Sequence, residues 1–324
     1  MEVISSSRTG TNTVEAVIRE GAAAFEAAIQ LAYLNKRKDI PLRIRGLCRG
    51  KAARKVIEKR CGENVFYEDA IREMYVQTVE DGAKALDLDV VDVPDVEVTE
   101  IDREKGVTFK VRYTLKPEVN ISGYKGLRLE KRGRLVTDVD GETNRIGNGD
   151  AQIADVKDQA DIRKKLADGE KSRADSALDD SLAVRLAEMV EAEVPPVMYE
   201  RRIAEMFREW EYRNRPVGIT LQDYLKYTGL TAEQFRESFR KPAEIQVKFR
   251  LALEKIAALE GIGVTAEELE ERYRELSRQQ EMDVTNVKAA IPADSLMTDL
   301  KVQKAFDFVK ENAEITEVGE TDGQ

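Results

Sequence analysis

Eight cations packed into eighteen residues are the feature of this chain best suited to chemistry. Arg43, Arg45, Arg49, Lys51, Arg54, Lys55, Lys59 and Arg60 fall between positions 43 and 60, where Glu58 is the only acid. The stretch has a formal charge of +7 in a chain whose net charge is −10. A concentrated basic island on an acidic protein is an electrostatic footprint for a polyanion, of which RNA is the commonest. A charge run is more often just the solvated face of a helix, but two features argue for contact here. Gly46 and Gly50 place part of the island in a loop. Leu47 and Cys48 stand at what would be the loop's tip, where an apolar residue has little reason to be unless it docks. The island has no interleaved aromatic side chains, so its chemistry is ion pairing with phosphate or carboxylate rather than base stacking.

Other chemistry is excluded by composition. The chain has no histidine, which removes Ser-His-Asp triads, Cys-His pairs and histidine-ligated metals together. Its two cysteines, Cys48 and Cys61, form no C-x-x-C. That argues against a zinc site or a disulfide framework and fits a reducing cytoplasm. Acids are interspersed along helical stretches, with no isolated pair in an apolar setting. No cofactor or metal is expected. No run of about 18 apolar residues crosses a membrane, and the start shows no secretory signal. Charged residues make up 35% of the chain and aromatics 6%, which points to long solvated helices rather than a compact β-protein.

The elements that must carry the island come from periodicity. Residues 1–20 read as one or two strands. Phe25, Ala28, Ile29 and Ala32 mark a helix over Ala22–Leu34, Ala52–Arg60 can be helical, and Ile71, Met74, Tyr75 and Val79 mark an amphipathic helix within Val65–Leu86. Val107, Phe109, Val111, Tyr113 and Leu115 alternate with polar residues, the signature of a half-buried strand. Val91, Val93, Val96 and Val98 form its partner across an Asp102–Gly106 turn, with Pro94 at a bulge or edge. Residues 1–117 therefore predict an α+β domain, helices on one face of a small antiparallel sheet. Glycines at 133, 141, 147 and 149 make 131–160 a linker without aromatic residues. Beyond it the pattern is helical: Leu178, Leu182, Leu186 and Met189 form one stripe, and Tyr199, Ile203, Met206, Phe207 and Trp210 another. Ile245 to Leu259, Leu269 to Leu276 and Val302 to Val309 mark further helices. Thr220 is read as an N-cap, and Thr231 with Gln234 and Thr265 with Glu268 are capping boxes. Pro242 should kink or interrupt its helix. The acidic tail 314–324 is expected to be disordered.

Gly46-Leu47-Cys48-Arg49-Gly50-Lys51 resembles the signature loop of trigger factor, the bacterial ribosome-associated chaperone family, whose pattern is Gly-Phe-Arg-Lys-Gly-Lys followed by Ala or Val, Pro and Arg. Gly46, Gly50, Lys51, Ala52 and Arg54 match it. Leu47 replaces Phe, Cys48 replaces Arg, Arg49 stands for Lys and Ala53 for Pro. Val65-Phe66-Tyr67-Glu68-Asp69-Ala70 and the run from Lys116 to Leu127 resemble the same family's ribosome-binding domain. Phe235 to Arg240, Gln246 to Leu253 and Leu300 to Val309 resemble its C-terminal chaperone domain. The family's prolyl isomerase domain has no room in 131–160, where only Arg134-Leu135-Val136 and Asn148-Gly149-Asp150 resemble its beginning.

The resemblance implies a ribosome-binding α+β domain (1–130), the linker (131–160) and an extended all-α chaperone domain (161–313). It implies a cytoplasmic, ATP-independent chaperone that docks at the ribosomal exit tunnel, on protein and rRNA, and shelters nascent or unfolded chains. Arg43, Arg45, Gly46, Leu47, Cys48, Arg49, Gly50, Lys51 and Arg54 would meet the ribosome. Met198, Tyr199, Ile203, Met206, Phe207 and Trp210 would meet clients, methionine being suited to promiscuous apolar contact, although such stripes are more often helix–helix core. No membrane partner is expected, and a homodimer off the ribosome is implied. An RNA- or ribosome-associated factor without client binding remains an alternative. A prolyl isomerase is disfavoured, so no enzymatic activity is expected.

Overall fold

The computed structural model describes residues 1–37, 53–134 and 156–320, with side chains omitted at 132–134, 156–167 and 317–320. Two compact units result: residues 1–118 with 193–198, and residues 119–192 with 199–324.

The first unit is built on a four-stranded antiparallel sheet in the order β1 (Glu2–Gly10), β2 (Thr13–Glu20), β4 (Gly106–Thr114), β3 (Asp95–Asp102). Strict alternation puts Val14, Ala16 and Ile18 of β2 opposite Tyr113, Val111 and Phe109 of β4, all buried. Helices α1 (Ala22–Lys36) and α3 (Tyr67–Ala85) cover that face with Phe25, Ile29, Ala70 and Met74, and Ile57 of α2 (Arg54–Cys61) joins the same core. α3 approaches the sheet closely at Gly82, where a Cβ would lie 2.3 Å from Ile18 Cδ1 and 2.6 Å from Tyr113 Oη. The turn before β4 needs Gly106: its φ is +101°, and a Cβ there would meet the Glu20 carbonyl at 1.8 Å.

β3 begins later than the valine pattern suggests. Val91 and Val93 lie outside it, and Val93 is 81% exposed. Pro94 has no N–H to donate to a ladder, so the strand starts at Asp95, on the sheet edge.

The second unit holds α4 (Val156–Glu188), α5 from Tyr199 onward (Pro196–Asn214), α6 (Leu221–Thr228), α7 (Ala232–Ser238), α8 (Arg240–Leu259), α9 (Ala266–Gln280), α10 (Val284–Ala290) and α11 (Ala293–Glu311). Leu178, Leu182 and Leu186 are buried where α4 packs against α8, which also packs against α11. A smaller cluster joins Tyr273, Val287 and Leu296 across α9, α10 and α11. The capping boxes at Thr231–Gln234 and Thr265–Glu268 are both formed, and Thr220 caps α6. Pro242 sits in the first turn of α8, where its missing N–H would have no helical partner anyway. The break falls upstream at Phe239 instead of kinking the helix.

Four expectations are corrected here. Residues 119–130 belong with the helical unit rather than the sheet domain. That unit is not all-α: β5 (Arg128–Arg134) and β6 (Glu314–Glu320) form a parallel two-stranded sheet. The tail expected to be disordered is therefore a strand through Glu320. Charge and backbone explain it: Glu314 donates its N–H to Leu127 O at 2.8 Å, its carboxylate pairs with Arg128 at 3.0 Å, and Leu129 beside it is buried. The linker narrows correspondingly, β5 running to Arg134 and α4 starting at Val156.

Candidate functional site

Of the nine residues assigned to the basic island's contact surface, Arg43, Arg45, Gly46, Leu47, Cys48, Arg49, Gly50 and Lys51 lie outside the described residues. The structure instead shows the frame on either side. Lys36, in the last turn of α1, pairs with Asp69 of α3. Arg54, the first residue of α2, directs Nη1 to Glu26 Oε1 at 2.8 Å and Nε to Glu58 Oε1 at 2.6 Å. Arg103, in the turn between β3 and β4, reaches Glu26 at 3.3 Å and Glu58 at 3.7 Å. The Arg54 hydrogen bond, then its charge and that of Arg103, hold the Glu26 carboxyl below the usual carboxylate range despite some burial. Arg54 is thus already engaged by two carboxylates, whereas Lys55, Lys59 and Arg60 face solvent.

The apolar stripe on α5 divides. Met198 belongs to the first unit and the rest to the second. Ile203 is 4% exposed, while Met198, Tyr199, Met206, Phe207 and Trp210 are half-buried. Burial, and then the nearby Glu244 charge, raise the Tyr199 hydroxyl. Phe207 and Trp210 pack edge-on against Phe235 of α7, with ring centroids 5.9 and 5.1 Å apart. Tyr224 of α6 and Phe239 complete the cluster around the same ring at 5.1 and 5.0 Å. Part of the stripe is therefore the core of α5–α7.

The accessible apolar groups of this helical set lie elsewhere. Tyr212 is 78% exposed, Val217 71% and Tyr227 92%, and Ile219 and Leu230 are exposed as well. Tyr212 stands on α5 off the repeating stripe, and the other four stand in short elements and turns where no stripe can repeat. The only signal available was apolar residues spaced among turn glycines at 218 and 229. Among the described residues no cluster of His, Cys, Asp and Glu could hold a metal, and no helix is long and apolar enough to cross a membrane.

Residues 1–145 match the family model described as bacterial trigger factor protein, and residues 156–311 match the model of the trigger factor C-terminus. Only residues 146–155 lie between the two matches, leaving no isomerase domain there. Trigger factor of Clostridioides difficile (strain 630) is 26% identical over 406 aligned positions, covering 90% of this chain and 94% of the relative. That of Acetivibrio thermocellus is 24% identical over 428 positions, covering 97% and 100%. Both alignments exceed the 324 residues of this chain, so those relatives carry segments it lacks. A solved trigger factor chaperone, studied for promiscuous substrate recognition in folding and assembly, shares the fold: TM-score 0.55 at 16% identity, over 96% of this chain and 99% of the other. With both terminal regions matched and the fold shared, this chain belongs to the trigger factor family of bacterial chaperones, in a form without the prolyl isomerase domain.

Proposed function

We propose that this protein is an ATP-independent chaperone that docks on the ribosome near the exit tunnel through its basic island and shelters nascent or unfolded chains on the helical unit. The observation that carries the client half is the exposure of Tyr212, Val217, Ile219, Tyr227 and Leu230 beside a packed aromatic cluster. The cluster packs the three helices together, and the exposed residues present adaptable apolar area. The ribosome half is supported by the island's +7 charge on an acidic chain and by the frame on its two sides. Leu47 and Cys48, standing where the family pattern has Phe and Arg, weaken that docking relative to the family. Off the ribosome, self-association is the expected resting state. No cofactor takes part, and the cytoplasm is the expected compartment.

The test has two arms. Cosedimentation with ribosomes across a salt series should show binding that falls steeply with salt. Arg49→Ala with Lys51→Ala should abolish it, and Leu47→Phe with Cys48→Arg should tighten it. Tyr212→Ser with Tyr227→Ser should leave the melting temperature unchanged and reduce suppression of client aggregation. Full suppression by that double variant would refute the client surface; salt-independent binding would refute the docking. In a proline-limited refolding assay the protein should give no catalysis, since the linker offers no aromatic residue for an apolar isomerase pocket. Acceleration at catalytic concentration would overturn that expectation.

A further inference from the structure

Arg54 sits where local helix energetics do not want a cation. It is the first residue of α2, where the helix dipole favours negative charge. α2 has no acid in its first turn, and Ala53 provides no side-chain cap. Its i,i+4 partner Glu58 lies on the C-terminal side, the weaker orientation for such a pair. Helix stability alone therefore does not account for Arg54. What it does is tie three elements together: Glu26 and Gln30 of α1, Glu58 of α2 and, through both carboxylates, Arg103 of the β3–β4 turn. The side chains of Arg54 and Glu58 are only 12% and 9% exposed, so within this square of alternating charge the Arg54 guanidinium offers little surface to a polyanion, and the exposed cation is Arg103 at 36%.

We infer that Arg54 is a positioning residue for ribosome docking: clamped between Glu26 and Glu58, it fixes the point at which the chain leaves the basic segment for α2, and makes no contact with the ribosome itself. This rests on the docking reading above. It sets Arg54, which holds, apart from the cations at positions 43–51, which touch.

The two roles predict opposite signs for Glu58→Gln. If Arg54 touched the ribosome, removing a competing carboxylate and adding one net positive charge would tighten binding. If Arg54 holds the frame, binding weakens in spite of the added charge, by about tenfold or more for a lost charge-assisted bond. The slope of log affinity against log salt stays as in the wild type, because no phosphate contact is lost. Arg49→Ala should lower that slope by about one. Arg54→Lys, which keeps the charge and loses the fork, should behave like Glu58→Gln. Hydrogen exchange of the α2 amides is the second readout, expected about tenfold faster in Glu58→Gln with the β4 amides unchanged. If Glu58→Gln unfolds the unit, Glu26→Gln repeats the measurement with a more exposed member of the square, again taking a carboxylate from Arg54 and adding one positive charge. Wild-type or tighter binding in Glu58→Gln, full affinity in Arg54→Lys, or unchanged α2 exchange overturns the inference alone. Wild-type binding by Arg49→Ala with Lys51→Ala overturns the docking reading and this inference with it.

Discussion

Phe235→Ala tests whether the α5–α7 cluster is core. Phe235 is 4% exposed and meets four rings, those of Phe207, Trp210, Tyr224 and Phe239, at 5.0 to 5.9 Å. Truncating a buried phenylalanine costs about 3–5 kcal/mol. Each edge-on aromatic pair adds about 0.5–1.5 kcal/mol beyond buried area, which favours the upper half of that range; half-buried partners that can close over the gap pull it down. An expected loss of about 4 kcal/mol follows. Trp210 is the chain's only tryptophan and touches Phe235, so its fluorescence reports on this cluster alone. At a urea dependence of about 2 kcal/mol per molar, the midpoint of the Trp210 transition should fall by about 2 M. Circular dichroism of the sheet unit should keep its own transition. A fall of less than about 0.5 M, about 1 kcal/mol on the same scale, would refute the reasoning. It would mean that Phe207 and Trp210 lean on Phe235 without depending on it, and are free to serve as client contacts.

Gly82→Ala would ordinarily stabilise a helix by about 1 kcal/mol; here the Cβ collides with Ile18 and Tyr113, so a net loss of about 1–3 kcal/mol is expected, and a rise in melting temperature would contradict the packing. Burial pushes the Tyr113 hydroxyl up to about 12 from its ordinary 10.0, and it donates to Val79 O at 2.9 Å. A group whose folded value is raised contributes stability that is complete below the unfolded value and lost as pH rises through the folded one. The sheet unit should therefore weaken between about pH 10 and 12, Tyr113→Phe should flatten that limb of the profile, and an unchanged profile would refute the assignment.

Features that depend on neighbours along the chain are legible in the residues alone. Alternation in Val107–Leu115 announced a half-buried strand, Thr231–Gln234 and Thr265–Glu268 announced helix starts, and the cations from Arg43 to Arg60 announced an anion-binding region. These signals are local because a strand's two faces, a helix's first turn and a charge run are each set by residues a few positions apart. The absence of histidine likewise removed whole classes of chemistry without any structure. Features that depend on distant partners emerge only when the chain is folded. β6 pairs with β5 from 186 residues away, so an acidic tail read as disordered becomes a strand once a basic one lies open beside it. The stripe on α5 was legible, but a periodic apolar face says only that it wants cover; α7 supplies that cover through Phe235, leaving Tyr212 and Tyr227 exposed instead. Arg54 matches a motif in the sequence with Glu58 four residues on, and only the fold brings Glu26 and Arg103 to that pair, because whether a charge is free or paired is settled by which elements pack around it.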